Sequence, residues 1–241
     1  MLTAAIIQAR MGSTRLPGKV LKQLQDHTVL GHVIRRIKQV KSINKIVIAT
    51  TNLPIDDVIE QEANRYGIEV YRGSEQDVLS RYYEAALQVN AETIIRITSD
   101  CPLIDPMVTE QVIQYYSKHS YDYVSNSLAR TYPRGLDTEV FSMKALQEAH
   151  QQANQIHERE HVTPYIYLRS DEFKLGHVLA DEDHSSHRWT LDTEEDWQLI
   201  QEIYRELYHP DHYFTWLDVL AFLKDRPDLV ALNAHVEQKK L

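Results

Sequence analysis

Residues 3–9 form a short, almost wholly apolar run of the kind a parallel strand needs when both of its faces are covered. The pattern then breaks. Gly12, Pro17 and Gly18 with Ser13 and Thr14 fit neither a helical nor a strand period, and Arg10, Arg15 and Lys19 bring three cations into the same turn. Backbone N–H groups exposed beside cations make an anion-binding concavity. An amphipathic helical pattern resumes over residues 28–40, with Val29, Leu30, Val33, Ile34 and Ile37 on one face. The order is strand, basic glycine-containing loop, helix, which predicts an α/β chain with the loop at a sheet edge.

Two familiar phosphate motifs are absent. A Walker A loop needs four residues between its first glycine and the Gly-Lys pair, followed by Ser or Thr; here five residues separate Gly12 from Gly18, and Val20 follows Lys19. Gly12 and Gly18 do not supply the three-glycine fingerprint of a dinucleotide site either, so a nicotinamide enzyme is disfavoured.

Apolar runs and helical patterns keep alternating. Strands are predicted at residues 45–50, 68–71 and 93–98, with helices at 55–66 and 77–89. This βα repeat predicts a mainly parallel sheet flanked by helices, a Rossmann-like arrangement whose ligands lie outside the carboxyl ends of the strands. The basic loop and the segments 71–74 and 99–105 each follow a strand, so they should meet on one rim. From residue 121 the rhythm loosens into expected strands at 121–125, 137–141 and 173–178 and helices at 143–153 and 160–169. That suggests an inserted region that covers the rim or pairs subunits. Helices are expected at 194–207 and 216–224, with Trp197, Ile200, Ile203, Tyr204 and Leu207 on a buried face, while residues 236–241 should fray. Residues 1–241 read as one domain.

Composition narrows the class. A chain of 241 residues with net charge −9 is a poor general nucleic-acid binder, because it has few cations to spare for many phosphates. Cys101 is the sole cysteine, so no intrachain disulfide forms, and a cytoplasmic chain is expected. The sequence has no apolar run long enough for membrane insertion.

Asp100 leaves the expected strand at 93–98 just before Pro102, which puts a carboxylate at the sheet edge. That suits Mg²⁺, which prefers one or two carboxylates plus phosphate oxygens and water. Asp105, next to Pro106, reads instead as a helix N-cap, and Thr193, after Asp192, as the N-cap of the helix at 194. A competing signal is His157-Glu158-Arg159-Glu160-His161, which satisfies the H-E-x-x-H pattern of zinc proteases. Pro164 opposes it, because one helix holding both histidines would carry that proline in its interior; a helix starting near His161 avoids the conflict. Cys101 has no evident histidine partner and reads as a passive buried thiol.

The segment Ala9-Arg10-Met11-Gly12-Ser13-Thr14-Arg15-Leu16-Pro17-Gly18-Lys19 resembles the signature loop of the spore-coat polysaccharide (SpsF-like) cytidylyltransferases, which are related to the CMP-KDO and CMP-sialic acid synthetases. The likeness continues in order through residues 71–83, 96–106, 133–141, 159–166 and 188–196. It implies a single nucleotidyltransferase (GT-A-like) domain that transfers CMP from CTP to a sugar hydroxyl, releases pyrophosphate, and works as a homodimer with Mg²⁺. It maps Ala9, Arg10, Gly12, Ser13, Arg15 and Lys19 onto the nucleotide loop, and Arg72 and Ser74 near the cytosine and ribose. Arg134, Asp137 and Glu139 map toward the sugar, and Asp100 and Asp192 onto the metal. Arg10, Lys19 and Asp100 would carry the chemistry, which is electrostatic positioning without a protein nucleophile. Thr98-Ser99-Asp100-Cys101-Pro102 departs from the Gln-Gly-Asp form of the KDO enzymes, so KDO is not implied as the acceptor. A GT-A-type glycosyltransferase and a non-catalytic nucleotide or sugar sensor are the alternatives. Pyrophosphate release separates the first from the leading reading.

Overall fold

The structure is a computed structural model that describes residues 2–238. In chain order it holds β1 (Thr3–Gln8), a 3-10 turn (Lys19–Leu21), the small hairpin β2 (Gln23–Leu24) and β3 (His27–Thr28), and α1 (Val29–Ile37). Next come β4 (Lys45–Thr51), α2 (Asp57–Arg65), β5 (Glu69–Gly73), α3 (Val78–Gln88), β6 (Thr93–Thr98) and α4 (Pro106–Lys118). The second half adds β7 (Tyr123–Ser125), β8 (Glu139–Ser142), α5 (Met143–Gln152), α6 (Ile156–His161), α7 (Pro164–Tyr167), β9 (Leu175–His177), α8 (Glu194–Leu207), α9 (Trp216–Lys224) and α10 (Pro227–Leu232).

Seven strands form one sheet in the order β5-β4-β1-β6-β8-β7-β9. The first four run parallel, whereas β8 is antiparallel to both β6 and β7. β1 is apolar along its length because its alternate residues enter two cores: Ala4 and Ile6 pack with α3 and α5, and Ala5 and Ile7 with α1, α4 and α8. The chain passes from β1 to β4 on one side and later places β6 on the other. The carboxyl end of β1 is therefore a switch point where loops diverge and leave a crevice.

The region 121–178 departs from expectation. Its strands do not stand apart as an insert; β7, β8 and β9 extend the central sheet beyond β6. The expected helix at 160–169 is two short helices instead. His157 and His161 do share α6, and the chain breaks at Val162, whose φ of 74° lies in the left-handed region, so Pro164 starts α7 rather than sitting inside a helix. Of the expected fraying end, Gln238 is tied down, its Oε1 accepting from Arg188 Nη1 at 2.7 Å, while residues 239–241 lie outside the described residues. No described helix is long and apolar enough to cross a membrane.

Candidate active site

The loop after β1 is folded back on itself. Ser13 N–H donates to the Met11 carbonyl at 2.8 Å, Leu16 N–H to Ser13 Oγ at 3.3 Å, and Gly18 takes φ 66°, a conformation that glycine reaches without steric cost. Asp56, fully buried after β4, fixes the loop from below: one carboxylate oxygen accepts from Met11 N–H at 2.7 Å and the other from the Thr51 hydroxyl. Asp56 has no motif to announce it in the sequence. Ala9 is buried, its N–H bonded to the Ala49 carbonyl at 3.2 Å, and Gly12 stands on the rim opposite Glu75.

Three distant motifs meet at Lys19. Its ammonium donates to Asp100 Oδ2 at 2.6 Å, to Asp192 Oδ1 at 2.8 Å and to the Leu191 carbonyl at 2.8 Å, a partner for each of its three donors. Asp192 Oδ2 also pairs with Arg15 at 3.2 Å and Arg188 at 2.8 Å, and Arg188 reaches Asp196 at 3.0 Å. Leu191 N–H bonds the Asp100 carbonyl at 2.8 Å, which docks the late acidic segment against the turn after β6. Burial opposes the charge on Lys19, but the carboxylates of Asp100 and Asp192 outweigh it and hold its pKa above the ordinary value. Burial would raise Asp100, yet the Lys19 ammonium keeps it below the usual carboxylate value. Asp100 and Asp192 thus present two carboxylates on one cation, a donor set that suits Mg²⁺ with phosphate oxygens completing its shell. Thr193 and Asp196 form a capping box, as expected, that anchors α8 directly behind Asp192.

Other expected residues scatter. Arg10 lies on the rim and only touches Glu75, at 3.4 Å. Arg72 is engaged by its neighbours: its guanidinium donates to the Thr51 and Leu53 carbonyls and pairs with Asp57 and Glu60. Ser74 caps the turn into α3, its Oγ accepting from Asp77 N–H at 3.2 Å. Glu139 does not face a sugar. It is buried, with one oxygen on Arg96 and the other accepting from Tyr123 Oη at 2.8 Å and Thr163 Oγ1 at 2.5 Å, which makes it a tie between β6, β7, β8 and α7. Asp137 remains at the surface in a bidentate pair with Arg130, at 2.6 and 2.7 Å, and Arg134 lies close by, its pKa held down by burial and by Arg130. Arg130 had no place in the sequence reading, and Arg188 entered it only as the first residue of the 188–196 segment.

Two secondary expectations are resolved by contacts. Asp105 caps α4, accepting from Met107 and Val108 N–H at 2.8 and 3.2 Å. Cys101 is buried, and burial with the Asp100 and Asp137 charges pushes its thiol well above its ordinary pKa, the behaviour of an inert side chain. The H-E-x-x-H segment is occupied otherwise. Glu158 turns back to accept from Asn154 and Gln155 N–H, both at 3.3 Å, and pairs with Arg169 at 2.7 Å. Among the described residues no group of three or more His, Cys, Asp or Glu side chains is assembled for a metal.

Residues 4–215 match the cytidylyltransferase family model. The chain belongs to the cytidylyltransferase family. It is 36% identical to the Bacillus subtilis spore coat polysaccharide biosynthesis protein SpsF, over 92% of this chain and 94% of that one. An uncharacterized protein of Methanocaldococcus jannaschii is 36% identical over 99% of this chain and 97% of its own length. A solved cytidylyltransferase from Leptospira borgpetersenii superposes with a TM-score of 0.91 at 32% identity, with the whole of both chains covered. Membership of this family leaves the zinc-protease reading without support.

Proposed function

We propose that this cytidylyltransferase transfers CMP from CTP to a sugar hydroxyl and releases pyrophosphate, activating the sugar for polysaccharide assembly. The observation that carries the reading is the convergence of Lys19, Asp100 and Asp192 beneath the basic loop at the carboxyl end of β1. Arg10, Ser13 and Arg15 line that loop, and with the Gly12 backbone they would hold the triphosphate while Lys19 meets the leaving pyrophosphate. Asp100 and Asp192 would hold Mg²⁺ in exchange for their grip on Lys19. The ion, when bound, supplies charge neutralisation at the α-phosphate and the attacking oxygen. In the transfer, the sugar hydroxyl gives up its proton to water, and the new bond from its oxygen to the α-phosphorus replaces the bond from that phosphorus to the bridging oxygen, which leaves with pyrophosphate. Arg134 and the Arg130–Asp137 pair stand beside the cluster as the side chains for the acceptor. Residues 1–241 would act as one unit, and two copies would pair through residues 121–178, where Ile156 and Leu168 are exposed.

The test is pyrophosphate release from CTP and Mg²⁺ over a panel of sugar acceptors. Release that requires an acceptor and ceases in Asp100→Asn and Asp192→Asn is expected. Wild-type turnover in both variants would remove these aspartates from the mechanism.

A further inference from the structure

Asp192 is gripped from two directions. Lys19 and Arg15 reach it from the loop after β1, and the Arg15 side chain is 41% exposed. The other grip comes from inside the protein. Arg188 Nη2 donates to Asp192 Oδ2 at 2.8 Å and to Asp196 Oδ2 at 3.2 Å, while its Nε donates to Asp196 Oδ1 at 3.0 Å. Arg188 and Asp196 are both buried. Asp196 Oδ2 also accepts from the backbone N–H of Asp192 at 2.9 Å and of Thr193 at 3.0 Å. One buried ion pair therefore fixes Asp192 by its backbone and by its carboxylate together.

Capping α8 does not require this arrangement. The capping box is complete once Thr193 and Asp196 exchange hydrogen bonds with each other's backbone N–H, which uses one oxygen of Asp196. The other oxygen is turned toward Arg188 and Asn233. Asn233 ends α10 and is buried, and its Nδ2 donates to Asp196 Oδ1 and to the Arg188 carbonyl, both at 2.8 Å. Gln238 Oε1 takes the remaining arm of the guanidinium, Nη1, at 2.7 Å. Asn233 and Gln238 lie beyond residues 4–215, the part that matches the family model. The end of the chain thus braces the pair that holds Asp192.

Charge decides what the brace can do. Asp196 offsets Arg188, so the pair orients Asp192 without adding net positive charge that would repel a divalent cation. It occupies Asp192 Oδ2 and leaves Oδ1, the oxygen on Lys19, to exchange partners. Lys19 and Arg15 sit on a loop and can turn to phosphate oxygens. Arg188 cannot follow them, because Asp196, Asn233 and Gln238 hold its guanidinium and its carbonyl. A ligand held in place before the ion arrives loses little freedom on binding it, and the hydrogen-bonding partners behind a metal ligand tune its affinity. We propose that Arg188, braced by Asp196 and by Asn233 and Gln238 at the end of the chain, is a positioning residue that keeps Asp192 aimed at Mg²⁺ when Lys19 lets go. This role rests on the CTP and Mg²⁺ reading above and names the part of the chain that sets the hold on the ion.

Calorimetric titration of the full chain with CTP, once in Mg²⁺ and once in EDTA, gives the metal's share of nucleotide affinity as a ratio. The Mg²⁺–CTP complex forms in solution equally for every variant, so a change in the ratio belongs to the protein. Arg188→Lys keeps the charge but loses the planar fork that spans two carboxylates. It should shrink the ratio by about tenfold or more, with CTP affinity in EDTA little changed. Asn233→Leu fills similar space without donors and should shrink the ratio in the same direction; it decides the matter if Arg188→Lys does not fold. Leu146→Ala, in the core on the α3 and α5 face of the sheet, should lower Tm and leave the ratio alone. A ratio unchanged in both Arg188→Lys and Asn233→Leu overturns the assignment. So does a loss of CTP affinity that is equal with and without the metal, which would make the pair a support of the fold only. A Leu146→Ala that shrinks the ratio as much also overturns it, since the ratio would then follow stability. A ratio that falls in Arg188→Lys and not in Asn233→Leu removes the end of the chain from the role. A wild type that gains nothing from Mg²⁺, or an Asp192→Asn that keeps the full gain, overturns the parent reading instead.

Discussion

Lys19 holds two carboxylates that would otherwise repel each other, and this makes it a structural tie and, on the proposed reading, the group that Mg²⁺ would displace. Removing one partner of a pair this enclosed costs up to about 3–5 kcal/mol, because uncompensated charge is left behind. Lys19→Ala should therefore lower the urea midpoint in the absence of divalent cations, and millimolar Mg²⁺ should restore part of the loss by taking the same oxygens. An unchanged midpoint would show that the lysine is not the tie. The pH dependence has a definite sign. Asp100 is held below its ordinary value of 3.8, so its contribution is complete above that pH and fades as the solution is acidified through its folded-state value. Lys19→Ala should flatten that acid limb. Lys19 and Asp100 stood out in the sequence because each lies in a loop that follows a strand, and Asp192 because it sits just before a capped helix. The ion pairs of Arg72 and Glu139 were not visible, because sequence shows a charge without showing which neighbour engages it. Arg81 falls on the same helical stripe as Val78, Tyr82 and Ala85 and is buried there, a placement that the helical period alone determines.

At the scale of elements, the site depends on how the segment before α8 is pressed onto the sheet. Trp189 N–H bonds the Arg134 carbonyl at 2.7 Å, and Arg134 N–H bonds the His187 carbonyl at 3.0 Å. Gly135 stands over this join with φ 103°, and a Cβ there would lie 2.7 Å from the backbone carbon and oxygen of Trp189. Gly67 also has positive φ, at 65°, but nothing lies within 4 Å of its missing Cβ. Gly67→Ala should then cost only the left-handed strain, about 1–2 kcal/mol, whereas Gly135→Ala must also push backbone aside and displace Asp192. Urea unfolding should show a clearly larger loss for Gly135→Ala, accompanied by a fall in pyrophosphate release. Equal losses would mean that the join is soft. The same contrast explains which elements could be read in advance. β1, β4 and β6 are dominated by apolar and β-branched residues because both faces are covered, and such segments announce themselves. β7 and β9 span only three residues each, and the break at Val162 puts a β-branched residue where sequence rules expect glycine, so neither the sheet extension nor α6 was visible.

For the whole molecule, the balance of charge and the placement of the crevice set how a nucleotide is met. A net charge of −9 repels a triphosphate at a distance, while Arg10, Arg15 and Lys19 attract it at the one rim where the strand order reverses. On the proposed reading Mg²⁺ would reduce the first effect and take up the two aspartates, so nucleotide and metal should bind better together than either does alone. Because this crevice joins loops from β1, β4, β5 and β6, a ligand lodged there ties together elements that local unfolding would otherwise separate, and binding should register as global stability. At about 100 times its dissociation constant, CTP with Mg²⁺ contributes roughly 2.7 kcal/mol, a rise in Tm of about 5–10 °C for a chain of this size. ATP, GTP and UTP share the triphosphate but not the cytosine, so at matched concentrations they should raise Tm by less, and CTP without Mg²⁺ should fall short of CTP with it. Thermal unfolding across the four nucleotides, with and without the metal, checks both orderings. Equal shifts for all four would mean that the crevice reads only phosphate, and the cytidine specificity would have to be abandoned.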